Sequence, residues 1–187
     1  DRDIRKAVVE KLTDQAVLGK VALEDKDAQV RKAAVEKLTD RAVLAKVALE
    51  DKDRDVREVA VEKLTDQATL TKVALKDKDG QVREVAVEKL TDQAVLAKVV
   101  AEDKDLDVRK LALGKLSETG LAEVAIETED RAVQLAVAVK QGKETWSDVL
   151  SNSHSDTSGL RDALDAIALA GDERSAVAAI VKTCHRY

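Results

Sequence analysis

The chain has 187 residues and contains no proline, no phenylalanine and no methionine. Cysteine, tryptophan and tyrosine occur once each, and aromatic residues make up only 1%. Each absence excludes something. With Trp146 and Tyr187 as the only rings, a core must be built from Ala, Val, Leu and Ile. The lack of Pro argues against a sandwich or barrel with many tight turns. A single Cys excludes an internal disulfide framework and a thiolate metal site. No apolar run approaches the roughly 18–20 residues that cross a bilayer. The missing Met predicts a processed chain or a fragment. What the chain does have is charge: 37% of residues are charged, 44% are hydrophobic, and the net charge is −5.

Self-similarity organises the rest. Residues 27–52 read DAQVRKAAVEKLTDRAVLAKVALEDK, and residues 79–104 differ from them at 6 of 26 positions. Residues 1–26 and 53–78 fit the same template, and 105–129 fit it in a 25-residue version. Residues 130–141 resemble the first half of a sixth unit, and 142–187 are non-repetitive.

Each unit carries two helical patterns. Val30, Ala33, Ala34, Val35 and Leu38 form one apolar stripe; Val43, Leu44, Val47 and Ala48 form a shorter one. Thr39 or Asp40 can cap the second helix, and Asp27 or Asp25 the first. Sustained period-2 alternation, the mark of a strand, is missing. A two-helix unit cannot bury its own stripe, but stacked copies bury a continuous seam. The expected fold is therefore all-α: an α-solenoid, a HEAT/ARM-like superhelix of about five two-helix repeats, right-handed or gently curved, closed by a divergent helical C-terminal cap.

The motif D-x-D-x-x-V-R-x-x-A-x-x-x-L stands as Asp25 to Leu38 and recurs from Asp51, Asp77 and Asp103 with small changes. It resembles the HEAT-like repeats of bacterial proteins, and equally the leucine-rich repeat variant family, over about residues 1–140. The unit is shorter than the roughly 40–47 residues of HEAT and armadillo repeats. The variant family implies a second helix that is short or partly 3₁₀. Its iron–sulfur cysteine cluster is not carried over, because Cys184 stands alone.

Arg5, Arg31, Arg57, Arg83 and Arg109 share one slot in every unit. They read either as a row of guanidiniums for anionic partners or as an internal ladder. The resemblance implies the ladder, with Asp25, Asp51, Asp77 and Asp103 as acceptors. On a helical wheel the solvent ridge of the first helix carries Lys32 and Glu36, then Asp55, Glu58 and Glu62, then Glu84 and Glu88, and later Lys110. The ridge turns acidic in the third and fourth units. The resemblance implies that these helices line a concave, partner-binding face. An acidic strip there favours a basic peptide or protein segment; the alternative is a merely solvated face.

Nucleic-acid binding needs a cationic surplus. Residues 1–104 carry 22 Lys and Arg against 23 Asp and Glu, and residues 105–187 carry 10 against 14. In the tail, Gly142–Leu150 reads as a turn into a short helix whose Trp146 covers the last apolar face. Residues 151–158, SNSHSDTS, read as a mobile loop. A helix follows from Leu160 to near Gly171, and then one capped by Asp172 and carrying Ala176, Val177, Ile180 and Val181.

No catalytic, cofactor or metal residue is expected. His154 has Ser153 and Asp156 beside it, but neighbours in one loop cannot form a triad. Cys184 and His185 diverge by about 100° on a helix. The D-K-D loops lack the Gly and terminal Glu of an EF-hand loop.

The expected function is a non-enzymatic scaffold that binds a protein or peptide, with no nucleic acid and no membrane involved. The competing expectation is a spacer or a self-assembling piece of a longer array. It rests on Ile4, Val8 and Leu12, which present an open apolar face for end-to-end association. A HEAT-like enzyme is a third reading, without a located site. No signal peptide is visible, and a single Cys is compatible with a cytoplasmic location.

Overall fold

The computed structural model describes residues 1–152, 157–172, 174, 175 and 178. Among them every regular element is an α-helix. The order is α1 Arg2–Lys11, α2 Gln15–Glu24, α3 Ala28–Lys37, α4 Arg41–Glu50, α5 Arg54–Lys63, α6 Gln67–Lys76, α7 Gly80–Lys89, α8 Gln93–Glu102, α9 Leu106–Lys115, α10 Glu118–Glu127, α11 Arg131–Lys140, α12 Trp146–Asn152 and α13 Thr157–Ala170. No helix among the described residues is long and apolar enough to cross a membrane.

The caps settle where each helix begins. Asp27, Asp53, Asp79 and Asp105 cap α3, α5, α7 and α9. Asp14, Asp40, Asp66 and Asp92 cap α2, α4, α6 and α8. Each side chain accepts a backbone N–H of the first turn, an arrangement worth about 1 kcal/mol per cap. Of the alternatives left open above, Asp40 and not Thr39 is the cap, and so is Asp27 rather than Asp25. Asp25 instead closes the C-terminus of α2, its N–H donating to the Val21 carbonyl at 3.1 Å.

The second helices are regular. α2, α4, α6, α8 and α10 each run ten residues as α-helix. The short or 3₁₀ second helix implied by the variant family is not what forms. An aspartate cap at one end and an i→i−4 bond into Asp25, Asp51, Asp77 or Asp103 at the other hold the full span.

Ten residues are too few for a helix to stand alone in water, where about 12–15 is already marginal. Packing must hold them, and the pairing has a definite phase. The close pairs are α2 with α3, α4 with α5, α6 with α7 and α8 with α9, each joined by a D-K-D loop. The two helices on either side of a Leu-Thr-Asp link meet much less. The structural hairpin is thus the second helix of one sequence unit with the first helix of the next.

The helix contacts divide the chain into Asp1–Leu90 and Thr91–Tyr187. The change in composition at Gln141 marks the end of repetition and does not coincide with this division. In the first unit α1, α3, α5 and α7 form one row, and α2, α4 and α6 form another. This is the consecutive-pair arrangement of an α-solenoid. Val30 and Ala34 on α3 and its C-cap Leu38 are buried, and so are their equivalents Val56, Ala60 and Leu64, and Val82, Ala86 and Leu90. The alanine in each triplet lets backbones of the first row approach closely, and that row packs more tightly than the second.

In the second unit α8 packs on α9 and α10, and α10 on α11. α13 covers α11 and α9, and α12 packs on α13. α11 ends at Gln141 followed by Gly142, and α13 ends before Gly171; both glycines have φ near +69° (+69° and +68°), the left-handed stop of a helix. Two boundaries differ from expectation. Ser151 and Asn152 belong to α12, and α13 begins at Thr157 rather than Leu160. Small hydroxyl residues are at home in the first turn of a helix, so Thr157 and Ser158 join α13. The rest of the polar stretch, including His154, lies outside the described residues. So do Cys184, His185 and the apolar positions of the last expected helix.

The buried alanine row makes a prediction. Ala60→Leu should cost about 1–3 kcal/mol by overpacking. Ala68→Leu on the exposed side of α6 should stay within about 0.5 kcal/mol. Urea denaturation of the two variants checks the contrast.

Candidate functional site

The arginine slot is the most built-up polar feature of the chain. The Arg31 Nε donates to Asp51 Oδ2 at 2.7 Å, and Nη2 to Oδ1 at 2.8 Å. Arg57 makes the same fork with Asp77, at 2.7 and 2.9 Å. Arg5 makes it with Asp25, at 2.8 and 3.2 Å. The remaining nitrogen of the fork reaches backwards. Arg31 Nη1 donates to the Asp25 carbonyl, Arg57 Nη1 to that of Asp51 and Arg83 Nη1 to that of Asp77, all at 2.9 Å.

Each such guanidinium therefore ties one D-K-D loop to the next. The Asp is itself pre-oriented, because Asp25 Oδ1 also accepts the Asp27 N–H at 2.9 Å, as Asp51 does for Asp53 and Asp77 for Asp79. Side chains of Arg31 and Asp51 are 4% and 7% exposed, and those of Arg57 and Asp77 3% and 6%. The fork-shaped, charge-assisted bonds and the backward bond engage all three nitrogens of a guanidinium that is almost fully buried. These guanidiniums are not offered to an outside anion.

The row changes at its far end. The fifth unit has Thr128-Glu129-Asp130 where others have D-K-D. Arg109 Nη2 donates to Asp130 Oδ2 at 2.7 Å, and its Nε goes to the Val100 carbonyl at 2.9 Å. In the sixth unit Gln134 occupies the Arg slot. It keeps only the backward bond, Nε2 to the Thr128 carbonyl at 2.9 Å.

A second row was not anticipated. Lys37 Nζ donates to the carbonyls of Val9 and Glu10 at the end of α1. Lys63 does so to Glu36, Lys89 to Glu62, and Lys140 to Leu113. Each ammonium sits at the negative end of the neighbouring helix, where last-turn carbonyls lack partners. For Lys37, Lys63 and Lys89 the sequence signal was the Lys before Leu-Thr-Asp; Lys140 lacks that context.

The ridge residues divide by element. Asp55, Glu58 and Glu62 lie on α5, Glu84 and Glu88 on α7, and Lys32 and Glu36 on α3, three helices adjacent in one row. Glu36, Glu62 and Glu88 are exposed; Lys32, Asp55, Glu58 and Glu84 are half-buried. Val59 and Val85 sit half-buried between the carboxylates of their helices. Lys110 is on α9 in the second unit, its stem beside Gly171 at the end of α13.

Trp146 is buried, and its indole N–H donates to Asp172 Oδ2 at 3.3 Å. An open cleft of about 620 Å³ beside it is lined by Val139, Glu144, Thr145, Ser147, Ser175 and Ala178. Among the described residues that line it, Glu144 is the one carboxylate. Among the described residues no group of three or more His, Cys, Asp or Glu side chains could hold a metal ion. No protein-family model matches the chain, and neither a curated protein nor a solved structure gives a significant match.

Two carboxylates that accept from the arginine row, Asp25 and Asp130, set a pH dependence. The Arg5 fork holds Asp25 below the ordinary carboxylate range against the opposing effect of burial, and the Asp27 N–H adds to it. Burial pushes Asp130 up, but bonds from Arg109 and the N–H groups of Val133 and Ala132 outweigh it, so its net shift is also downward. A carboxyl whose folded value is depressed binds protons less readily than in the unfolded chain. Its contribution is present above the unfolded value of about 3.9 and is lost as pH falls through the folded value. Helical circular dichroism should therefore hold from pH 7 to about 5 and fall below about 4. Arg109→Gln should start the loss at higher pH in α9–α11, as read by hydrogen exchange.

Breaking the fork has a further consequence. Arg57→Leu leaves Asp77 charged and unpaired in a dry site, at a cost of about 3–5 kcal/mol. Arg57→Lys keeps the charge but loses the bidentate geometry, and should fall between Leu and wild type in denaturant titrations.

Proposed function

We propose that the chain is a non-enzymatic binding scaffold whose first-row face, over α5 and α7, takes a basic protein or peptide segment. The observation that carries this reading is the run of Asp55, Glu58, Glu62, Glu84 and Glu88 on two adjacent helices, with Val59 and Val85 half-buried among them. Carboxylates steer a cationic segment and fix its position. The valines supply apolar surface for the stems of Lys or Arg side chains. The non-enzymatic part of the reading is supported by the arrangement of the polar groups, since the guanidiniums and ammoniums described above are committed to carboxylates and helix ends.

The test is fluorescence anisotropy of a labelled Lys/Arg-rich peptide titrated with the full chain. Affinity should fall steeply with added salt. The quadruple change Glu58→Lys, Glu62→Lys, Glu84→Lys, Glu88→Lys should weaken binding by about a hundredfold or more, since like charges at an interface cost several kcal/mol. Equal binding by both proteins, with the variant's helical content intact, sinks the proposal.

A further inference from the structure

The two rows of the first unit present opposite charge on their exposed sides. α4 and α6 lie side by side in the second row, as α5 and α7 do in the first, and α4 packs on α5 as α6 does on α7. α4 buries Leu44, Val47 and Ala48, and α6 buries Thr69, Leu70, Val73 and Ala74. Their exposed residues include Arg41, Lys46, Lys72 and Lys76. Glu50 is the one carboxylate within these two helices, because α6 ends in Lys76 where α2, α4 and α8 end in Glu24, Glu50 and Glu102. The nearby aspartates are engaged. Asp40 and Asp66 cap the two helices, and Asp51 and Asp77 receive the forks of Arg31 and Arg57. No hydrogen bond or ion pair joins the four cations to another described residue. Leu49 is 43% exposed among them, and Ala42 and Ala68 are exposed beside it.

We propose that this side of α4 and α6 is a docking surface for a second copy of the chain, and that it seats on that copy's α5–α7 face. Arg41, Lys46, Lys72 and Lys76 of one copy then meet Glu58, Glu62, Glu84 and Glu88 of the other. The inference rests on the binding role proposed for α5 and α7, and names the basic partner of that face. The occupant follows from the match between two surfaces of one molecule. Each is two helices wide. Each repeats its charge at the interval of the sequence unit, Lys46 and Lys72 on one side, Glu62 and Glu88 on the other. Each adds apolar surface, Leu49 on one and Val59 and Val85 on the other. Opposite charge across such a contact steers encounter and fixes register. The two faces are different surfaces, so the contact is heterologous, and a docked pair still offers one face of each kind. Association therefore continues as concentration rises.

The first measurement is light scattering of the full chain from micromolar to millimolar concentration. Mass should grow with concentration at low salt and return to that of one copy at high salt. The second uses two charge-reversed variants. Arg41→Glu, Lys46→Glu, Lys72→Glu, Lys76→Glu makes both faces acidic; Glu58→Lys, Glu62→Lys, Glu84→Lys, Glu88→Lys makes both basic. Each alone should self-associate about a hundredfold or more less tightly than the unmodified chain, since like charges then oppose one another. An equimolar mixture should associate again, joining the unaltered α4–α6 face of one variant to the unaltered α5–α7 face of the other, a recovery that misfolded variants would not give. An unmodified chain with the mass of one copy throughout overturns the proposal, and so does association that survives in either variant alone. A chain that stays single but binds a labelled Glu-rich peptide through Arg41, Lys46, Lys72 and Lys76 also overturns it, because another acidic partner is then the occupant. The Lys/Arg-rich peptide separates this inference from the reading it rests on. If the unmodified chain binds that peptide but not its own copies, the self-contact alone is wrong; if it binds neither, both fall.

Discussion

A guanidinium held between two loops sets the register of the helix pairs in the first unit. Arg31 and Arg57 have little freedom of placement: the fork meets the Asp twenty residues on, and the third nitrogen meets the carbonyl six residues back. A slide of one helix along its neighbour would break these bonds together and leave charge in a dry site, where an unpaired ion is costly. The apolar seam supplies the attraction, but Ala, Val and Leu grip one another in many registers. The fork selects one.

The loops serve three purposes with three residues. In Asp25-Lys26-Asp27 the first Asp ends one helix, accepts the Asp27 N–H and receives the arginine fork, while the last Asp starts the next helix. That economy accounts for the recurrence of Asp-Lys-Asp at 25–27, 51–53, 77–79 and 103–105. Where the fifth unit replaces it with Thr128-Glu129-Asp130, one aspartate must be both helix cap and arginine partner, and the arginine turns its Nε to a carbonyl. One turn later Gln134 replaces the Arg and retains a single bond. The row fades over the same residues in which α13 begins to cover the helices.

The face proposed for a basic segment stands in contrast to this frame. Arg31 and Arg57 are buried and held by carboxylates and carbonyls, and Lys37, Lys63 and Lys89 meet the end of a neighbouring helix, while Glu62 and Glu88 lie exposed on α5 and α7. The charge presented by α5 and α7 is therefore read from their glutamates rather than from a count of all charges nearby.

The sequence by itself determined the helical class, the two helices per unit and the identity of the arginine slot, because periodicity and capping are local and repetition displays them several times. It could not determine the phase of the pairing. A tandem repeat reads the same wherever the unit is cut, and only packing shows that the second helix of one unit clasps the first helix of the next. Nor could it choose between Asp25 and Asp27 as cap, since both are competent and the choice depends on which one the distant Arg5 occupies. The lysine row was present in the sequence at each Leu-Thr-Asp, but its meaning needed a neighbouring helix end within reach. Lys110 shares its unit position with the ridge residues, but only tertiary structure shows that its stem lies beside Gly171. In each case the sequence displayed which groups were available, and contacts between residues some twenty or more apart decided which of them were used.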